Sequence, residues 1–249
     1  MSAPRRSNRG LIIGLSVGGG VLVLVLCAAV VGAGFYVSSR FQAAGKPSTV
    51  ATSAAASAPA TGGGCAYQPS GSPATRPVGT PSTSDIPRSG QQKVTITTNQ
   101  GVVEFTMDTA KAPCAAHSFT FLAGKKFYDN TPCHRLLVTG AYMLQCGDPS
   151  GTGTGGPGYQ YASENLPTGQ TPPYPAGTVA IANAASPDTN GSQFFLVYKD
   201  SSFDGPNYPV LGQITRGLDV LLKIAAGGTS GPQQDTPNTK VQIASVTVS

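Results

Sequence analysis

Asn190-Gly191-Ser192-Gln193-Phe194-Phe195 sets a turn, a polar side chain and two aromatic rings in immediate succession. Asn-Gly is a turn pair that tolerates positive φ. Behind it, Gln193, Phe195 and Val197 alternate with Phe194, Leu196 and Tyr198, which is the period of a half-buried strand. One face of that strand therefore carries an amide beside a phenyl ring. Upstream, Cys133-His134-Arg135-Leu136-Leu137 and Tyr142-Met143-Leu144-Gln145-Cys146 read as two further strands, the first with an arginine at its centre.

The flanking sequence supplies more short strands. Residues 93–98 and 102–107 are β-rich runs around Asn99-Gln100-Gly101, a hairpin with a three-residue turn. A helix then opens at Ala112-Pro113, carries Phe119 and Leu122 on one stripe and stops at Gly124. After a Gly/Pro-rich excursion over 149–175, strands follow at 178–182, 193–197 and 209–214. Leu218, Leu221, Leu222 and Ala225 mark a second helix ended by Gly227-Gly228, and 241–248 alternates as a last strand. About eight strands and two helices predict a mainly β fold: a closed eight-stranded antiparallel barrel capped by the two helices, without free sheet edges.

Only residues 91–249 have this globular character. Residues 11–37 hold no charged side chain and are long enough for a hydrocarbon core that needs ~20 apolar residues, so they read as a single transmembrane helix. Arg5, Arg6 and Arg9 in the basic tail 1–10 outnumber Arg40 beyond it. That bias puts the tail in the cytoplasm and the rest outside, anchored at the cell membrane by one pass. Residues 38–90 are rich in Ala, Ser, Thr, Gly and Pro and predict a disordered tether, in which Cys65-Ala66-Tyr67 is the one place suited to docking on the domain.

The formal charge of +5 does not indicate a nucleic-acid partner. Residues 1–90 hold seven Lys/Arg and one acid, whereas 91–249 hold nine against ten, so the excess belongs to the tail. Four cysteines, Cys65, Cys114, Cys133 and Cys146, fall on the predicted outer side and allow two disulfides in three connectivities. If Arg135 and Gln145 share a face, Cys133 shares it and Cys146 lies opposite. That parity disfavours Cys133–Cys146 unless a bulge intervenes. Neither His117 nor His134 has zinc-site spacing to a cysteine, so no metal is expected.

Three other motifs carry little. Gly151-Thr152-Gly153-Thr154-Gly155-Gly156 satisfies G-x-G-x-x-G, but Pro157-Gly158 follows in place of the helix a pyrophosphate site needs. Asn190-Gly191-Ser192 matches a glycosylation acceptor, a common chance match that the turn explains better. A Ser-His-Asp hydrolase lacks its G-x-S-x-G elbow and has only two histidines to draw on; His134 reads as a core histidine with a backbone partner.

Taken together, the segments around Arg135, Gln145 and Gln193 resemble the signature of cyclophilins, the peptidyl-prolyl cis-trans isomerases, over about residues 91–249. The resemblance implies that Arg135 is the catalytic arginine, that Gln145 faces it, and that Asn183 contributes from an Ala182-Asn183-Ala184 rim. It implies a substrate pocket of Tyr142, Met143, Gln193, Phe195, Phe203 and Tyr208. Proline-containing polypeptides become the expected partners of a monomeric domain that needs no cofactor. The chain departs from the family in an Arg135-to-Gln145 interval two residues longer, with an altered turn over 138–141. It also has no tryptophan: Ser202 stands near the indole that many members use to bind cyclosporin. A non-catalytic proline-peptide binding module is the alternative, and Arg135 favours the enzyme.

Overall fold

The computed structural model describes residues 64–249, apart from Ala185 and residues 204–206. The expected tail, the anchor over 11–37 and the linker up to residue 63 lie outside the described residues. No helix among the described residues is long and apolar enough to cross a membrane, so the expected spanning helix has no counterpart there. Along the chain run β1 (Gln68–Pro69), β2 (Gln91–Thr98), β3 (Gly101–Asp108), α1 (Pro113–Gly124), β4 (Thr131–Pro132), β5 (Arg135–Leu137), β6 (Met143–Cys146) and β7 (Tyr159–Gln160). They are followed by β8 (Thr178–Ile181), β9 (Phe194–Val197), β10 (Val210–Arg216), α2 (Leu218–Ala226), β11 (Thr229–Ser230), β12 (Thr236–Pro237) and β13 (Gln242–Val248).

Alternation builds the opening hairpin. Val94 and Ile96 on β2 and Val103, Phe105 and Met107 on β3 are buried, while their neighbours face outward. Thr98 pairs with Gly101, so the turn is the two residues Asn99-Gln100 and not three. On α1, Ala115, Ala116, Phe119, Leu122 and Ala123 are buried, and the helix is apolar or half-buried nearly all round. Phe119 packs edge-on against Phe105 and Phe194 and stacks on Tyr128.

Nine strands form one antiparallel sheet in the order β4-β13-β2-β3-β10-β8-β9-β6-β5. The expected closed eight-stranded barrel is corrected on this point: the sheet is an open, curled half-barrel whose outermost strands share no ladder. The reason lies at Cys133-His134. Residues 133–137 were expected as one strand, but only Arg135–Leu137 forms β5; at Cys133-His134 the chain passes from β4 on one edge to β5 on the other. The Cys133 N–H donates to Val241 O, and the next N–H, of His134, donates to Gln145 O on the opposite edge. Two residues of covalent chain thus cross the seam where a barrel would have hydrogen bonds.

The same crossing permits the pairing that parity disfavoured. Cys133 turns inward and is buried while Arg135 stays exposed, and Cys133 bonds Cys146 with their Cα atoms 4.1 Å apart. The second disulfide joins Cys65 to Cys114 at the start of α1.

Residues 64–90, expected as the end of the tether, lie on the domain. Tyr67 is buried against Tyr159 and Tyr161 and donates its hydroxyl to Cys114 O. β1 pairs with β7, and Arg76 Nη1 reaches three carbonyls, of Lys126, Phe127 and Asp129, beyond the end of α1. The composition that argued for disorder is offset by a covalent bond, one buried ring and a charged donor.

Candidate active site

β8 and β9 are buried on both faces. Phe194 and Leu196 face the main core, whereas Phe195 and Val197 face the other side of the sheet. There they join Met143, Ala180 and Tyr174 in a second, smaller cluster, onto which Phe203 and Tyr208 fold. Phe195 meets Tyr208 at 5.2 Å and Phe203 at 5.1 Å between ring centres, both edge-on. A one-sided strand was expected here; the loops carrying Phe203 and Tyr208 cover the outer face and leave a small pocket.

That pocket is lined by Arg135, Met143, Gln145, Ala182, Asn183, Phe195, Phe203 and Tyr208. It brings together eight of the eleven residues expected at the site. Antiparallel pairing explains the proximity: Arg135 lies opposite Gln145, and Gln145 opposite Phe195, so three neighbouring strands place the guanidinium, the amide and the ring in one row. Gln193 and Ala184 stand in an adjoining groove of about 480 Å³ that shares Gln145, Ala182 and Asn183 with the pocket. Tyr142 lies elsewhere. Just ahead of β6, its ring packs on Tyr198, with Lys199 Nζ 5.1 Å above it.

The polar groups differ in what holds them. Gln145 Nε2 donates to Gln193 Oε1 at 2.8 Å, and Gln193 Nε2 donates to Gly153 O and Gly155 O. Arg135 Nε donates to Asp235 at 3.0 Å. The side-chain amide of Asn183 is buried at the pocket with neither atom hydrogen-bonded among the described residues. It is free to take a ligand's peptide group, since an unpaired buried amide is costly.

The glycine-rich loop has a different use from the one its pattern suggests. Asp148 Oδ1 and Oδ2 accept hydrogen bonds from the backbone N–H groups of Ser150, Gly153 and Gly155 and from the Ser150 hydroxyl. The loop closes on its own carboxylate, and a Cβ at Gly155 would run into Asp148 Oδ1. Burial pushes the Asp148 pKa up, but the hydrogen bonds from Ser150, Gly155 and Gly153 outweigh it and hold the carboxyl below its usual value. His134, beside Gly153, has neither ring nitrogen hydrogen-bonded among the described residues, so the expected backbone partner is not there. Burial lowers its pKa.

Two residues at the site escaped the sequence. Tyr174 closes the pocket from behind, against Phe195 and Phe203, and its hydroxyl donates to Tyr208 O and accepts from Tyr208 N–H. It was hidden in the Gly/Pro-rich excursion, as one of three tyrosines there with no periodicity to single it out. Asp235 was missed because it lies 100 residues from Arg135 in sequence.

Residues 93–248 match the family described as cyclophilin type peptidyl-prolyl cis-trans isomerase/CLD. The chain belongs to this family. It is 43% identical over 198 residues to the probable peptidyl-prolyl cis-trans isomerase B of Mycobacterium leprae, a match covering 73% of this chain and 65% of that protein. The chain thus spans somewhat less than two thirds of that relative's length. To peptidyl-prolyl cis-trans isomerase B of Streptomyces anulatus it is 38% identical over 176 residues, covering 64% of this chain and 97% of the relative. Among solved structures, a cyclophilin type peptidyl-prolyl cis-trans isomerase of Cryptosporidium parvum is similar with a TM-score of 0.57 at 28% identity, over 64% of this chain and 98% of that one. A second crystal structure of that cyclophilin, in the presence of the dipeptide Ala-Pro, gives 0.56 at 27% identity, over 63% and 98%.

Proposed function

We propose that this cyclophilin catalyses cis-trans isomerisation of X-Pro bonds in polypeptides outside the cytoplasm. The observation that carries the reading is Arg135 at the mouth of an aromatic pocket, facing Gln145 across one strand pair. An X-Pro bond rotates over a resonance barrier of ~18–20 kcal/mol, and no bond need break. In the twisted state the prolyl nitrogen becomes pyramidal and gains a lone pair. A guanidinium suits that lone pair because it stays protonated and presents donors in a fixed fork. Phe195, Met143 and Phe203 hold the ring of the proline while the acyl side turns, and Asn183 and Gln145 fix its carbonyl. Donors aimed at transition-state charge each contribute ~2.7–4 kcal/mol, judged from oxyanion holes.

Two disulfides among the described residues support an oxidising compartment. The uncharged run 11–37 would hold the protein at the cell membrane with residues 91–249 outside it. A protease-coupled assay on a proline tetrapeptide tests the activity. Arg135→Ala should lower kcat/KM by roughly ten- to a thousandfold with the fold intact. Activity within twofold of wild type would sink the mechanism, and a wild-type chain that binds the peptide without isomerising it would favour a binding module.

A further inference from the structure

We propose that Asp235 is a positioning residue for Arg135. This rests on the isomerase reading of the pocket. Arg135 is 44% exposed, so its long side chain would spread over many rotamers if left alone. Asp235 takes Nε at 3.0 Å, and among the described residues neither Nη makes a hydrogen bond. Capture through Nε fixes the plane of the guanidinium and leaves both Nη groups for substrate.

Asp235 is itself built into place. Its carboxylate is only 18% exposed, and its backbone carbonyl accepts the Leu136 N–H at 2.7 Å. One residue thus grips two consecutive positions of β5, by side chain and by main chain. It enters β12 from a turn in which Gln234 N–H and Nε2 both donate to Gly231 O. The main-chain bond alone covers the outer edge of β5. The carboxylate is therefore not needed to protect that edge, and an ion pair this exposed adds little stability. What it controls is direction, and misplacing a reacting group by ~1 Å costs about a hundredfold in rate. The opposite side of the pocket is built alike, with Gln145 held by Gln193 and Gln193 by the loop at Gly153 and Gly155.

A double-mutant cycle on the full chain tests this. Asp235→Ala should lower kcat/KM about tenfold, chiefly through kcat, when Arg135 is present, and by less than twofold in an Arg135→Ala background. Asp235→Asn, which retains an acceptor without the charge, should recover part of the loss. In the nitrogen–proton spectrum, Asp235→Ala should move the Arg135 Nε–H signal and speed its exchange, with core backbone amides unchanged. Equal losses in both backgrounds, no loss, or an unmoved Nε–H signal would each overturn the proposal. Failure of the isomerase reading looks different: wild type would then be inactive on the tetrapeptide while the Nε–H signal still moved.

Discussion

Tyr174 shows what one side chain does for the pocket. Its ring stands behind Phe195 and Phe203, and its hydroxyl satisfies both backbone groups of Tyr208, so the loop bearing Tyr208 is tied to the segment before β8 by one phenol. Tyr174→Phe keeps the ring and removes the hydroxyl, leaving the Tyr208 N–H without that partner. The expected cost is about 1–2 kcal/mol in a urea titration, with KM for a proline peptide rising more than kcat falls. An unchanged urea midpoint with an unchanged KM would refute this role. Sequence gave access to the residues that alternate or sit in motifs, Arg135, Gln145 and Phe195 among them. It gave none to Tyr174 or Asp235, whose partners are distant along the chain and met only once the sheet curls. Tyr142 was misplaced because the residue before β6 belongs to the altered turn, where strand alternation no longer decides which way a ring points.

Among the elements, α1 and the docked stretch 64–90 depend on each other. α1 has no side-chain cap at Ala112; instead Glu164 accepts the N–H groups of Cys114 and Ala115 at 2.8 and 3.1 Å. Burial raises the Glu164 pKa, against the pull of those two bonds. The Cys65–Cys114 disulfide ties the stretch to the start of the helix, and Arg76 ties it beyond the end. Arg76→Ala should therefore destabilise the protein by about 1.5–3 kcal/mol and speed proteolysis within 66–90, followed by limited digestion and urea unfolding. Digestion no faster than in wild type would refute the anchoring. This region was the least legible part of the chain, because composition measures how much apolar surface a segment can bury and says nothing of a few strong ties. Within the domain, the hairpin of β2 and β3 and both helices were legible from periodicity and punctuation. The switch of edges at the seam was not, since Cys133-His134 reads as the start of the strand that holds Arg135, and Thr131-Pro132 carries no strand signal of its own.

At the scale of the whole molecule, the domain has a predictable response to acid. The Asp148 carboxyl is held below its ordinary pKa of about 4, so folding binds fewer protons than unfolding there. Its contribution is fully present above the unfolded value and is lost as pH falls through the folded one. Asp148→Asn should lower the urea midpoint at neutral pH and flatten the decline between about pH 4 and the acid limit. A variant whose acid limb matched wild type would remove Asp148 from the account. The same loop walls the groove beside the pocket, so acid that opens it should weaken peptide binding as well.

The position of β13 has a consequence for how the protein is made. It is the last of the described elements, yet it lies inside the sheet, between β2 and β4. During synthesis, at ~5–20 residues per second, both neighbours are complete long before the strand that joins them leaves the ribosome. Such distant pairings are intrinsically slow to form, and an unfinished sheet exposes bare edges meanwhile. A chain that emerges lengthwise would carry these edges open until its final strand arrives. Any helper of its folding must wait for residues 242–248, and a ribosome stalled before them would leave a sheet with no partner for β4.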